Sequence, residues 1–328
     1  MNFQDLVNQY KSTLHDIQKS LDEAPEKWSV FQKKLDAVLD SIFLWCAEFE
    51  RQCGENEEKI YKMKHLFIEE CRDFIRLGHY NRHVIDKPFG YQGDFLIIDE
   101  IYKNNPSSVG IERCMDNYFL KADASAATRN RKEDFKKHLT SFALQQARHN
   151  IKILDLASGP CTDIMEFFEQ TPAIPKDLMV VCLDHDQHAI DYAQKKIVSK
   201  NFQQQVRFLQ KNAIKLALTK NIKNYISEKY DLIFSTGLFD YLDEKISTRL
   251  IHNLKELLAP HGMLIISNYR DKWSNASRHF MEWGGDWELV YRTEDDFLRL
   301  FLVAGFSKKQ LSLECEPLKV MQYCFAQS

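Results

Sequence analysis

Hydrophobic positions near the start of the chain recur at alternating spacings of four and three. Phe3, Val7, Tyr10, Leu14, Ile17 and Leu21 form one such seam, a narrow stripe of the coiled-coil kind. Glu23-Ala24-Pro25 interrupts it. A second series, Trp28, Phe31, Leu35, Val38, Ile42, Trp45 and Phe49, ends near Gly54. A third, Ile60, Met63, Phe67, Cys71 and Phe74, ends near Gly78. Three amphipathic helices in succession predict a small bundle. Its role stays open between a structural appendage or homodimer arm and a lid over a substrate. Residues 79–125 are less regular, with KPFGYQGDF and NNPSSVG as turn-rich marks.

From Ala126 the texture changes. A helix, AATRNRKEDFKKHLTSFALQQARHN, leads into short β-like runs that alternate with helical ones. IKILDLA is followed by DIMEFFEQ, LMVVCLD by QHAIDYAQKKIV, then VRFLQKN; YDLIFST is followed by a helix to Leu258, then GMLIISN. The strand candidates are Val/Ile/Leu-rich without alternation, as strands covered on both faces require. Strands separated by helices imply βαβ units and parallel pairing. The expected fold is α/β, a doubly wound Rossmann-like sheet with an N-terminal α-helical bundle. The expected domains are 1–125, helical, and 126–328, ligand-binding.

Composition narrows the class. The net charge is −3, and no basic block is interleaved with aromatics, so nucleic acid is not an expected partner. The N-terminus lacks the apolar core of a secretory signal, and no apolar run reaches the ~20 residues of a membrane span. The eight cysteines are scattered without a C-x-x-C pair, which suits reduced thiols in a cytoplasmic protein. His79 and His83 have no third ligand nearby in sequence, so no metal is expected.

The chemistry concentrates at the strand ends, where such sheets bind ligands. ILDLASGPCTDI reads as strand, turn and helix. Ala157 and Gly159 are small enough for close backbone approach. A pyrophosphate would favour a helix N-terminus without a nearby carboxylate. Asp155 and Asp163 make this edge acidic, which favours a ligand with an amino group or a ribose. That argues for S-adenosylmethionine over NAD. Asp184, ending the second strand, is placed to accept from a ribose diol. Asn212 lies past the third strand, where its side-chain carbonyl would accept from an adenine amino group. Ser235 ends the fourth.

The phrases KPFGYQGDF, RNRKEDF, LDLASGPCTDI, GLFDYL, LIISNY and WELVYRTEDDFLRL resemble class I S-adenosylmethionine-dependent methyltransferases. More narrowly, they are similar to the bacterial subgroup that makes the methyl ester of 3-hydroxypalmitic acid. Against the general pattern, Ala157 and Cys161 replace glycines and Asn212 replaces an Asp. The resemblance implies a cofactor site of Asp155, Ala157, Gly159, Asp184, His185, Asn212, Ala213, Ser235 and Leu238. Tyr91 and Asp94 would cover the sulfonium, and Arg131 (or Arg129) would pair with the methionine carboxylate.

Methyl transfer from a sulfonium is an in-line displacement, for which the protein mainly supplies alignment. Asp240 and Tyr241 are candidate positioning residues. Asn268, Tyr269, Trp283, Trp287, Tyr291 and Arg292 are candidates for an acceptor pocket, with Arg292 pairing a carboxylate. The expected reaction is carboxyl O-methylation of a small amphiphilic acid, at best a hydroxy fatty acid. O- or N-methylation of another small molecule and a catalytically silent binding or scaffold protein are the alternatives.

Overall fold

The computed structural model describes residues 2–145, 150–171, 174–175 and 177–328. The chain divides into two units, Met1–Ala126 with Ala276–Glu288, and Ala127–Asn275 with Leu289–Ser328.

The first unit is helical. α1 (Phe3–Glu23) buries all six seam residues, and Asn2 caps it by accepting from the Asp5 N–H. α2 (Trp28–Cys53) and α3 (Glu57–Ile75) follow with the predicted faces inward. Residues 79–125, expected to be irregular, hold three more helices: α4 (His79–Asp86), α5 (Phe95–Lys103) and α6 (Gly110–Lys121). Their shortness hides their periodicity, and glycines and left-handed residues between them read as loop.

A later segment returns to this unit. Ala276–Glu288 carries a π-helical turn, Phe280–Gly284. Trp283, 2% exposed, packs edge-on against Phe49 and Phe67, at 6.5 and 5.8 Å between ring centroids. A buried ionic cluster pins the segment. Glu50 Oε2 accepts from Arg278 Nη2 at 2.7 Å and faces His279 Nε2 at 2.9 Å, while Arg278 Nη1 reaches Glu282 at 3.0 Å. Burial alone would push the Glu50 carboxyl up. Hydrogen bonds from His279 and Arg278 outweigh it and hold it at about 2. Burial depresses His279 below its usual value.

α7 (Asp123–Gln145) leads into the second unit. The last part of the predicted helix, residues 146–149, lies outside the described residues. The sheet runs β3-β2-β1-β4-β5-β7-β6. Its strands are β1 (Lys152–Leu156), β2 (Met179–Asp184), β3 (Val206–Gln210), β4 (Tyr230–Ser235), β5 (Leu258–Tyr269), β6 (Leu311–Cys315) and β7 (Met321–Gln327). The first five are parallel, as predicted. The antiparallel pair β6–β7 extends the sheet beyond β5 and was not anticipated. Strand order reverses between β1 and β4, which opens a crevice beyond their C-terminal ends. Central strands β1, β2 and β4 are almost wholly buried, whereas the edge strands β3 and β6 are half open. Five helices accompany the sheet: α8 (Thr162–Gln170), α9 (Gln187–Ser199), α10 (Ala213–Leu218), α11 (Glu244–Lys255) and α12 (Glu294–Val303). Leu154, Val181, Ile233, Leu250, Ile266 and Phe297 belong to one continuous core between them. Among the described residues no helix is long and apolar enough to cross a membrane.

The Glu50 cluster makes the helical unit acid-sensitive. Glu50 is depressed, so its contribution is present above the unfolded glutamate value (~4.3) and is lost as pH falls toward about 2. His279 is held neutral, so protonation of the unfolded chain below about pH 6.5 acts in the same direction. Glu50→Ala should destabilise this unit by about 3 kcal/mol at neutral pH, because it removes the buried acceptor that Arg278 and His279 share, while Glu282 stays paired with Arg278. It should also flatten the pH dependence between about 4 and 2. Urea unfolding followed by tryptophan fluorescence measures both, since Trp28, Trp45, Trp283 and Trp287 all lie in this unit.

Candidate active site

The turn after β1 answers for its missing glycines. Ala157, Gly159 and Cys161 have φ of 59°, 53° and 49°. The three places where the general pattern has glycine are the three left-handed residues here, so the backbone path is kept with side chains on two of them. Each non-glycine residue in this region costs roughly 1–2 kcal/mol. Hydrogen bonds hold the path. Ala157 and Ser158 N–H groups donate to the Leu183 carbonyl at 2.8 and 3.2 Å, and the Gly159 N–H donates to Asp184 Oδ2 at 2.9 Å. An added Cβ at Gly159 would meet nothing within 4 Å, so this corner of the backbone faces open space.

Asp184 closes β2. Its Oδ1 accepts from the Asp186 N–H at 3.0 Å, and His185 Nδ1 stands 3.3 Å away. Burial opposes its ionisation. Hydrogen bonds from His185, Asp186 and Gly159 outweigh that and hold the carboxyl below its ordinary value. The partly exposed His185 is raised by the same contact. Asp155, 2% exposed, behaves oppositely: burial first, then Asp163, Cys161 and Asp184, push its carboxyl well up. Its Oδ2 has no hydrogen-bond partner. Asp163 is raised as well, chiefly by burial. A buried orphan acceptor among mutually repelling acids calls for a cationic donor.

Several predicted contacts take other roles. Asn212 is the N-cap of α10, its Oδ1 accepting from the Ile214 and Lys215 N–H groups at 2.8 and 3.1 Å. That oxygen is therefore filled, and the expected bond from an adenine amino group to it is withdrawn. Ala213 opens the helix, and Leu238 sits half-buried past β4. Ser235 is fully buried and donates to the Leu156 carbonyl at 2.8 Å, which joins β4 to β1 at the reversal.

Arg292 is also corrected. It is 5% exposed, and its Nη atoms donate to the carbonyls of Phe239 and Leu242, to Asn268 Oδ1 and to Ser247 Oγ. A guanidinium with both ends satisfied is a brace, with little left for an acceptor carboxylate. Asn268 donates to Asp240 Oδ1 at 2.9 Å and to the Tyr269 and Val290 carbonyls. Asp240 Oδ1 also accepts from the Tyr269 N–H at 2.8 Å. Tyr269 and Tyr291 make an edge-on pair at 6.1 Å, and Tyr241 is exposed. Trp283 and Trp287 belong to the helical unit, where Trp283 is core, whereas Tyr291 and Arg292 belong to the second unit.

Tyr91 and Asp94 lie in the helical unit too. Asp94 caps α5, accepting from the Leu96 and Ile97 N–H groups, and its Oδ2 pairs with His83 Nε2 at 2.7 Å. Both of its oxygens are engaged there, so it is not read as covering a sulfonium. Arg131 is 4% exposed, and its Nη1 lies 3.9 Å from Asp240 Oδ2. A Cβ on Gly237 would stand 3.2 Å from that Nη1, so the glycine at the end of β4 leaves room for the guanidinium. The nearby Arg129 Nη1 is buried without a hydrogen-bond partner.

Residues 147–305 match the model of a family described as a methyltransferase domain. This stretch is a class I S-adenosylmethionine-dependent methyltransferase domain. Among solved structures, the chain is similar to a protein from Bordetella parapertussis described as a possible exported protein. The TM-score is 0.59 at 18% identity, over 81% of this chain and 95% of that one. It is also similar to magnesium protoporphyrin IX methyltransferase from Synechocystis PCC 6803 with S-adenosylhomocysteine bound. There the TM-score is 0.50 at 14% identity, over 76% of this chain and 99% of that one. At such identities the likeness bears on the fold alone. No curated protein matches the sequence.

The cofactor of the methyltransferase is S-adenosylmethionine, and the residues present fit it. The orphan Asp155 Oδ2 suits an ammonium, and the open space at Gly159 suits a ligand lying against the turn.

The left-handed turn yields a stability test. Ala157→Gly removes roughly 1–2 kcal/mol of backbone strain while adding roughly 0.4–1 kcal/mol of unfolded-chain entropy, a net gain of roughly 0.5–1 kcal/mol. Urea unfolding of the variant should show this gain. A loss would mean that Ala157 is not strained.

Proposed function

We propose that the methyltransferase acts on a carboxylate oxygen of a small amphiphilic acid, with a hydroxy fatty acid as the best candidate. The observation that carries this reading is the engagement of Asp240: burial raises its carboxyl, but both oxygens are turned to partners within the frame. It is the carboxyl just beyond β4, and its Oδ1 is filled by the Tyr269 N–H and the Asn268 amide while Oδ2 faces Arg131. A carboxyl built into the frame in this way is poorly free to take up a proton from a substrate. An acceptor that arrives ionised needs no base.

S-adenosylmethionine, when bound, supplies an activated methyl group on a sulfonium. The chain's own residues then orient and desolvate. Asp184 would accept from the ribose hydroxyls through the lone pairs left beside its backbone bonds, and His185 and Ala213 would meet the adenine. Asp155 would accept from the ammonium, and Ala157 and Gly159 would line the methionine moiety. Arg131, held by Asp240 against Gly237, presents charge to the methionine carboxylate. The edge-on pair Tyr269 and Tyr291 would offer an aromatic surface to an alkyl chain. The similarity of LDLASGPCTDI, GLFDYL and WELVYRTEDDFLRL to the hydroxypalmitate methyl-ester subgroup supports the same acceptor class.

Two measurements test this. Asp184→Ala should weaken S-adenosylhomocysteine binding at least tenfold by calorimetry, because a charge-assisted hydrogen bond contributes about 1.5–3 kcal/mol. Unchanged affinity in a folded variant would remove Asp184 from the ribose. The acceptor is tested by a methyl-transfer screen over 3-hydroxy acids of graded length, with fatty alcohols, phenols and amines alongside. At about 0.8 kcal/mol per buried CH₂, kcat/KM should rise about fourfold per added carbon until the pocket is filled. Turnover confined to amines or phenols would refute the carboxylate proposal.

A further inference from the structure

Parallel register sets Asp155 of β1 beside Cys182 of β2, and side chains paired across neighbouring strands share a face. Cys161 joins them from the left-handed turn that follows β1. A carboxylate oxygen of Asp155 and the sulfurs of Cys161 and Cys182 all lie within 4.8 Å of one another. The three residues are 2%, 1% and 0% exposed, and Asp155 Oδ2 has no hydrogen-bond partner. Neither thiol has a part in the methyl-transfer chemistry described above.

We propose that Asp155, Cys161 and Cys182 form a binding site for a thiophilic divalent cation of the Zn²⁺ class, and that this metal and the cofactor exclude each other. Metal binding stands on the cluster alone. The exclusion rests on the reading that places Asp155 at the cofactor's ammonium.

Two thiolates and a carboxylate are a donor set that d¹⁰ cations accept in tetrahedral geometry. Metal–sulfur bonds of about 2.3 Å and metal–oxygen bonds of about 2.0 Å set ligand atoms roughly 3.5–3.8 Å apart, so the cluster must tighten by at most about 1.3 Å. Binding displaces the thiol protons of Cys161 and Cys182 to solvent, and the dication meets the resulting thiolates and the Asp155 carboxylate. Three protein ligands leave a fourth position for water. Asp163 and Asp184 add to the negative field around Asp155 and favour an incoming cation over a neutral ligand. The competing arrangement is a pair of buried thiols that takes up no metal.

The test uses the full chain, reduced with a phosphine, freed of cofactor and titrated with Cd²⁺ alone. The readout is the ultraviolet thiolate-to-cadmium charge-transfer band. One Cd²⁺ per chain is expected to bind with a band that needs both sulfurs. Cys161→Ser and Cys182→Ser should each weaken binding by about a hundredfold or more, because losing a mere outer-shell partner already costs up to that factor. The double variant measures the background from the remaining cysteines, and circular dichroism checks its fold. Should it be unfolded, Cys161→Ala alone decides, since that residue lies outside the strands. A band and affinity unchanged in these variants would overturn the site. A second titration adds saturating S-adenosylhomocysteine, whose binding is established separately by calorimetry. Cd²⁺ affinity should fall at least tenfold. Unchanged Cd²⁺ binding with the nucleoside bound would overturn the exclusion and leave the metal site standing. Failure of the nucleoside to bind the metal-free protein would overturn the cofactor reading instead.

Discussion

The bond from the Gly159 N–H to Asp184 Oδ2 couples the turn after β1 to the end of β2, and much of the site depends on that coupling. The turn takes an unfavourable path, with left-handed residues at 157, 159 and 161. Nothing intrinsic to Ala157 or Cys161 favours it. Acceptors fixed by the neighbouring strand do: the Leu183 carbonyl takes the Ala157 and Ser158 N–H groups, and the Asp184 carboxylate takes that of Gly159. Asp184 accordingly stays ionised, because the N–H groups that orient it also stabilise its charge. The strain of the turn and the charge of the strand end are two sides of one arrangement.

That arrangement sorts the acids of the crevice. Asp184 is supplied with donors, whereas Asp155 is buried without one and is raised partly by Asp184 itself. A carboxylate in this position does not repay its own burial, so it contributes little to folding and is explained better by a ligand. The polarity of that ligand follows: it must bring positive charge or donors, which an aminoacyl sulfonium does and a pyrophosphate does not.

Much of this was legible in the residues, and the failures have a common cause. Long periodic segments read correctly: the seam from Phe3 to Leu21 is buried throughout, and the five parallel strands lie where their apolar runs stand. Asp155 and Asp184 emerge at strand ends for the same reason, since strand boundaries follow from the pattern. What period cannot show is long-range partnership. Arg292 looks like a pocket cation in the sequence because its bonds go to carbonyls and side chains 24 to 53 residues away. Trp283 looked like a pocket wall because nothing local says that Ala276–Glu288 returns to the first helices. Asn212 suits a ligand contact in the sequence, but Asn before a short helix is equally a cap. The short β6 carries an exposed, weakly apolar pattern, as an edge strand does, so the sequence pattern does not mark it as a strand.

The braces found in place of the expected acceptor contacts have their own consequence. Asp240, Asn268 and Arg292 join the turn after β4, the end of β5 and the strand-like return at Val290–Arg292 through buried, mutually satisfied bonds. Networks of this kind are rigid, because moving one member orphans the others in a low-dielectric setting. Arg131 leans on the same network through Asp240 and lies against Gly237. The cation beside the crevice is thus positioned by the frame and not by its own flexible chain, and this suits a reaction whose rate depends on alignment at sub-ångström tolerance. In the second unit Asp155 and Asp184 confer ligand selectivity, while Asp240 confers geometry. The two groups are separated by β4, with Asp155 and Asp184 on the side of β1 and β2 and Asp240 on the side of β5.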